Sequence, residues 1–366
     1  MTRPDLTRLS AAALPVLAIV AFLLFLGATL TVSGDTLGYD FLAYHQAAQR
    51  VLDGQPLYDT SFQASGGFGL FYYPPAFLPL ILPFGMIEAA AATWAWIAIL
   101  IVAFLIGVAI LPVSRSVRWW IVLLAGLSFP FVYAVKLGQV GPLLFLAFAI
   151  GWRWLDDPRW LGASAAVGAA IKLQPGIVLV WAVLTRRWAA VLSGIIVLAA
   201  LALIATALAG ITAWTDFFAL VRQVSDPITT EHNFTPGAVA YQLGATTEVA
   251  GGIQLISTVA VVLAVVFAAW RAAPEASFLV AVIASQLVSP ILWDHYAVIL
   301  LLPVAYLLSK GLRWAIAIPL VTSVPLVGIT PPIVYPVVFF VALAATVAVG
   351  LRESPHGPGR SWQPVA

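Results

Sequence analysis

Apolar residues run through this chain in long blocks, at roughly 11–32, 88–111, 119–136, 140–154, 160–172, 176–185, 188–209, 251–270, 276–289, 295–309, 313–329 and 333–350. The first has about the length of a full membrane span as a helix. Its SAAALP start lacks a signal-peptide cleavage pattern, so it reads as a retained helix. Two blocks, 160–172 and 176–185, are too short to cross alone. Each rises only about 15–20 Å at 1.5 Å per residue, against a hydrocarbon core of about 30 Å. They read either as one span kinked at Pro175 or as two short helices meeting at a break.

The charges decide between these readings. With twelve segments and a cytoplasmic N-terminus, the cytoplasmic side receives Arg3, Arg8, Arg115, Arg118, Arg153, Arg159, Arg186, Arg187, Arg271, Lys310, Arg313, Arg352 and Arg360, thirteen of the seventeen basic residues. Merging the short pair leaves seven inside and nine outside, with Lys172 mid-membrane. That distribution violates the preference of cytoplasmic loops for Lys and Arg. Two short helices near IKLQP are therefore expected, with non-helical backbone that must be sheltered by protein or face a water-filled cavity.

The same topology places ten of the fifteen acidic residues outside: Asp35, Asp40, Asp53, Asp59, Glu88, Asp216, Asp226, Glu231, Glu248 and Asp294. His45, His232 and His295 join them. The outer face carries the long loops 33–87 and 210–250 and the turn SPILWDHY. Within the first loop, Phe41, Tyr44, Ala48 and Val51 share one helical stripe, which predicts an amphipathic helix over 41–52 lying along the membrane surface, stopped at Gly54. Pro74, Pro75, Pro79 and Pro83 make the following stretch a stiff return into the membrane. The expected organisation is one membrane-embedded unit over 1–350 and a disordered cytoplasmic tail over 351–366.

Composition agrees: 62% of residues are hydrophobic, 9% are charged and the mean hydropathy is +1.03. This is an all-helical polytopic membrane protein. There are no cysteines, which excludes disulfides, iron–sulfur clusters and Cys-ligated zinc. No phosphate-binding loop, GxGxxG or GxSxG pattern is present.

Asp40 stands at the head of the predicted surface helix, where it could be an N-cap, a chemical group or both. Lys136 in KLGQVG and Lys172 in IKLQP sit at outer helix ends beside Gly or Pro breaks, each followed by a glutamine. Either could snorkel; together they suggest binding of phosphate or diphosphate. Asp294 and His295 could orient a phosphate or cap a helix. Zinc needs three or four suitably spaced ligands, and no HxxxH pattern exists, so no metal site is expected. His232 in TEHNFTP is a candidate for an acceptor pocket.

The runs YDFLAYHQAAQRVLDGQPLYD, YYPP, KLGQVGPLLF, AAIKLQPGIVLVWAVLTRRW and SPILWDHY occur here in an order and spacing that resemble glycosyltransferase family 87. The resemblance covers about residues 11–350. It implies the GT-C membrane fold and transfer of a hexose, mannose by preference, from a polyprenyl-phosphate donor to a lipid or glycan hydroxyl on the extracytoplasmic face of the cell membrane. By the same resemblance Asp40 would be the catalytic base, and Lys136, Gln139, Lys172, Asp294 and His295 would line the donor pocket. Tyr44, His45, Tyr73 and His232 are assigned to the acceptor side. No cofactor, metal or nucleic acid is expected to take part. A secondary transporter and a non-catalytic carrier-binding protein are the competing classes. The first would place ionisable residues at the bilayer midplane in two matching halves, whereas here they gather at one rim.

Overall fold

The computed structural model describes residues 6–59, 70–223, 227–323 and 331–354. Expectations that fall on Arg3, Asp226, Arg360, the end of the 313–329 run and the tail from residue 355 onward lie outside the described residues. All regular structure among the described residues is helical. α1 (Leu6–Val32) leads into the first polar loop, which holds α2 (Tyr39–Leu52) and the short α3 (Leu78–Ile81). Next come α4 (Ala89–Ile110), α5 (Arg115–Gly126), α6 (Phe129–Leu137), α7 (Gly141–Arg153), α8 (Pro158–Ile171), α9 (Ile177–Leu184) and α10 (Trp188–Ala209). The second polar loop carries α11 (Thr212–Gln223) and α12 (Pro236–Gln242), and α13 (Thr247–Arg271), α14 (Pro274–Leu287), α15 (Leu301–Ser309), α16 (Ala317–Val321) and α17 (Val334–Glu353) follow.

Every apolar run contains helix, but they are not twelve equivalent spans. Among the described residues, five single helices, Ala13–Val32, Ala89–Ile110, Trp188–Ala209, Thr247–Arg271 and Val334–Glu353, are long and apolar enough to cross a membrane. The run at 119–136 is two helices, α5 and α6, bent by 66°, which together are long and apolar enough for one broken span. The bend follows Gly126, where an added Cβ would lie 2.6 Å from the Phe22 backbone, so α5 can lie directly on α1. Pro130, in the first turn of α6, lacks the N–H that a continuous helix would need.

The short α14 lies in the interior of the bundle. All residues of α14 from Ala276 to Leu287 are buried, the pattern of a helix that is apolar on every side because protein surrounds it. In α10 only Ala190, Gly194 and Ala205 are buried, and Leu192, Ile195, Ile196 and Leu203 are exposed, which suits contact with lipid chains. Small residues let α8 and α10 approach closely: a Cβ at Gly162 would collide with the Ala190 carbonyl.

The expected break near IKLQP is present. α8 ends at Ile171, Lys172 is extended (φ −141°, ψ 142°), and a 3-10 turn over Gln174–Gly176 leads into α9. Pro175 bars the helix from continuing. α2 runs two residues longer at its start than the 41–52 predicted, and Gly54 (φ +71°) follows it as a left-handed stop. It is two-faced as predicted, but its buried face is wider than the expected stripe: Ala43, His45 and Ala47 are buried as well as Phe41, Tyr44 and Ala48, while Gln46 and Gln49 are exposed on the other side. Residues 351–353, assigned to the tail from the sequence, are helical. α17 continues to Glu353, held by Lys310 Nζ at 2.7 Å and the Tyr306 hydroxyl at 2.8 Å.

Candidate functional site

Two left-handed glycines set the site. Gly38 (φ +71°) opens α2, and its N–H donates to the Lys136 carbonyl at 2.7 Å. A Cβ there would run into the Thr93 side chain on α4. Gly138 (φ +74°) ends α6; its carbonyl accepts from Trp96 Nε1 at 2.8 Å, and a Cβ would lie 2.6 Å from Phe41 Cβ. Phe41 in turn stacks on Trp96 with ring centres 5.4 Å apart. Only residues without a side chain permit these approaches, and they bring the first turn of α2 against the end of α6.

Asp40 and Gln139 meet as a result. Asp40 is the second residue of α2 and does not cap it; Gly38 is the N-cap and no side chain serves the helix end. The Asp40 carboxylate instead accepts from Gln139 Nε2 at 2.7 Å. Gln139 Oε1 accepts from the Tyr73 hydroxyl at 3.0 Å, and Tyr44 donates to Tyr73 at 2.6 Å. Tyr58 donates to the Tyr73 carbonyl at 2.6 Å, fixing the loop from below. Burial pushes the Asp40 carboxyl above its ordinary 3.8, with the Asp294 charge adding to the rise; the His295 side chain, the Gln139 hydrogen bond and Lys172 pull it back.

Asp40, Tyr44, Tyr73 and Gln139 form part of the wall of a cavity of about 1050 Å³. Lys172 and the Asp294–His295 turn complete its polar end. Lys172 Nζ sits 3.9 Å from the centre of the Tyr296 ring and 5.6 Å from that of Tyr73. It makes no hydrogen bond or ion pair among the described residues. His295 is 5% exposed, and neither ring nitrogen has a hydrogen-bond partner. Its Nδ1 lies 3.3 Å from Asp294 Oδ1, close enough for charge attraction, and that oxygen also accepts from the His295 backbone N–H at 2.7 Å. A buried polar atom without a partner is costly unless something else supplies one. The polar end therefore holds a buried lysine amine and an imidazole whose hydrogen-bonding capacity is unspent among the described residues.

Aliphatic side chains build another part of the wall: Ile177, Val180 and Leu184 from α9, and Val262, Val265 and Val266 from α13. His232 borders the cavity from the second polar loop with an exposed ring and a left-handed backbone (φ +57°). The next residue holds it there. Asn233 is fully buried; it donates to the carbonyls of Pro227 (2.7 Å) and Pro290 (3.0 Å) and accepts from the N–H of Thr235 (3.0 Å) and Leu292 (2.9 Å). One amide thus ties the His232 loop to the turn that carries Asp294 and His295.

Two candidates from the sequence are not brought to the cavity. Lys136 points over the Tyr133 ring at 5.4 Å and contributes its backbone carbonyl instead. His45 is on the far side of α2, where Nε2 meets the Ile87 carbonyl at 3.0 Å. Among the described residues, no three His, Asp or Glu side chains gather as metal ligands. Asn233 and Tyr296 were missed by sequence reasoning. Tyr296 lay within the quoted SPILWDHY run, but nothing along the chain marks the role of Asn233.

The sequence model of glycosyltransferase family 87 matches residues 71–290, more than half of the chain. Tyr73, Lys136, Gln139, Lys172 and His232 fall inside the match; Asp40, Tyr44, Asp294 and His295 fall outside it. No curated protein and no solved structure matches the chain.

Proposed function

The chain belongs to glycosyltransferase family 87, and from that premise we propose that it moves a hexose, mannose in the first instance, from a polyprenyl-phosphate donor to a hydroxyl of a lipid or glycan acceptor. The reading extends to a GT-C fold over residues 1–350 with the reaction on the extracytoplasmic face of the membrane. The observation that carries it is the gathering in one cavity of Lys172, which has no ion pair among the described residues, His295, whose ring nitrogens have no hydrogen-bond partner there, and the buried Asp40 carboxylate. Lys172 and His295 suit a phosphate, and the aliphatic wall from α9 and α13 suits the isoprenoid chain that follows it.

In this mechanism Asp40 accepts the proton of the acceptor hydroxyl as its oxygen forms a bond to the anomeric carbon from the face opposite the phosphate. The bond from that carbon to the phosphate oxygen breaks, and the lipid phosphate leaves with the electron pair. Lys172 and His295 stabilise the charge it gains, with Asp294 orienting the turn. The anomeric configuration inverts in this single displacement. His232 contributes to the acceptor side.

The test is transfer of labelled mannose from a polyprenyl phosphate in nanodiscs. Asp40→Asn is expected to lower kcat by about a hundredfold or more while donor binding persists. Full transfer by that variant refutes the assignment of the base, and transfer from a nucleotide sugar alone refutes the donor class. The base must be ionised. Because burial raises the Asp40 pKa, activity should fall on acidification at a pH above that of an ordinary aspartate.

A further inference from the structure

We infer that Gln139 is a positioning residue that aims Asp40, and that Tyr73 and Tyr44 hold Gln139 in turn, in place of a contact between Gln139 and the donor phosphate. This rests on the reading of Asp40 as base and names the machinery that orients it.

The direction of every bond in the chain follows from its two ends. A carboxylate only accepts, so the group 2.7 Å from Asp40 Oδ2 must be the Gln139 NH2. The Gln139 carbonyl then faces Tyr73 and takes its hydroxyl proton at 3.0 Å. With that proton committed, the Tyr73 oxygen is free to accept from Tyr44 at 2.6 Å. Reversing the amide would set a carbonyl against a carboxylate, two acceptors with no hydrogen between them. Tyr44 is 1% exposed and Tyr73 7%, so both phenols are held by the surrounding protein. The backbone beneath Gln139 is equally determined: its N–H donates to the Ala134 carbonyl at 2.8 Å, just after the left-handed Gly138. The hydrogen-bonded chain holds Asp40 Oδ2, whereas Oδ1 makes no hydrogen bond among the described residues, and Asp40 is part of the cavity wall. Oδ1 is the oxygen presented to the acceptor hydroxyl.

Removing Gln139 takes away one of the influences that keep the Asp40 carboxylate ionised despite its burial. The other groups that face Asp40 are Lys172, Asp294 and His295, with the phenols of Tyr44, Tyr73, Tyr133 and Tyr296 around them. None of these is altered in Gln139→Leu, which keeps much of the side-chain bulk. A charge-assisted bond of ordinary strength predicts a fall in kcat of about tenfold to a hundredfold and an acid limb displaced upward by about one pH unit. The apparent KM for the polyprenyl-phosphate donor should stay near that of the native enzyme. Tyr73→Phe, which retains the ring beside Lys172, should move the acid limb in the same direction by a smaller amount.

An unchanged acid limb in both variants overturns the inference, as does a Gln139→Leu enzyme whose defect is confined to donor KM. If Gln139→Leu fails to fold, the Tyr73→Phe profile decides alone. The base itself is tested separately. An active Asp40→Asn enzyme defeats the proposed function, whereas an inactive one combined with unshifted profiles defeats only the positioning role.

Discussion

Replacing Lys172 with methionine separates a ligand-binding lysine from a structural one. The substitution keeps an unbranched chain of similar length and removes the charge. A charge-assisted contact to phosphate is worth about 1.5–3 kcal/mol, so affinity for a lipid phosphate should weaken by about tenfold to a hundredfold. The effect on the unliganded protein is different. Lys172 loses its position over Tyr296 at 3.9 Å and Tyr73 at 5.6 Å, interactions worth about 0.5–2 kcal/mol. Against that, the native protein no longer shelters an ammonium group with no carboxylate bonded to it, which is itself costly. These contributions oppose one another, so Tm should move by no more than about 2–4 °C. The assay is binding of dodecyl phosphate in nanodiscs, with dodecanol as the uncharged control, alongside thermal unfolding without ligand. Selective loss of dodecyl phosphate binding at nearly constant Tm is expected. If both probes weaken equally, or if Tm collapses while phosphate binding survives, the lysine is structural and the anion site is wrong.

Asn233→Ala removes four side-chain hydrogen bonds and leaves buried donors and acceptors without partners, so Tm should fall by about 5 °C or more. Asn233→Asp, which keeps the two accepted bonds, should fall between it and the native protein in thermal unfolding, and an undisturbed Tm in the Ala variant would refute the clamp. Gly138→Ala meets both a left-handed backbone and Phe41 Cβ at 2.6 Å, whereas Gly54→Ala meets only the backbone cost because nothing lies within 4 Å. The first should therefore lose about 1–3 kcal/mol more stability than the second, and equal losses would refute the packing argument.

The linear chain was sufficient for several conclusions. Apolar runs with so few charges admit no solvent-facing surface of ordinary size, so the membrane setting follows from composition alone. The interruption at 172–176 was legible because Pro175 cannot continue a helix, and the end of α2 because Gly54 alone tolerates the turn there. What the runs could not disclose is which of them stay straight. The 119–136 block has the length of a span, yet contact between Gly126 and Phe22 and the onset of a new helix at Pro130 bend it.

The site divides in the same way. Lys136 and Lys172 carry nearly the same local signature, a lysine at a helix end with a break and a glutamine close behind. Only one borders the cavity. Asp40 was legible as an acid at a helix head, but its cap reading failed because its carboxylate had a better partner than the helix end, a glutamine 99 positions away. That partnership depends on Gly38 and Gly138 letting backbones approach to distances no side chain would allow. Hydropathy records how much of a helix avoids water. Which of its faces meets which neighbour is decided by steric fit between distant segments, and that fit exists only in the folded chain.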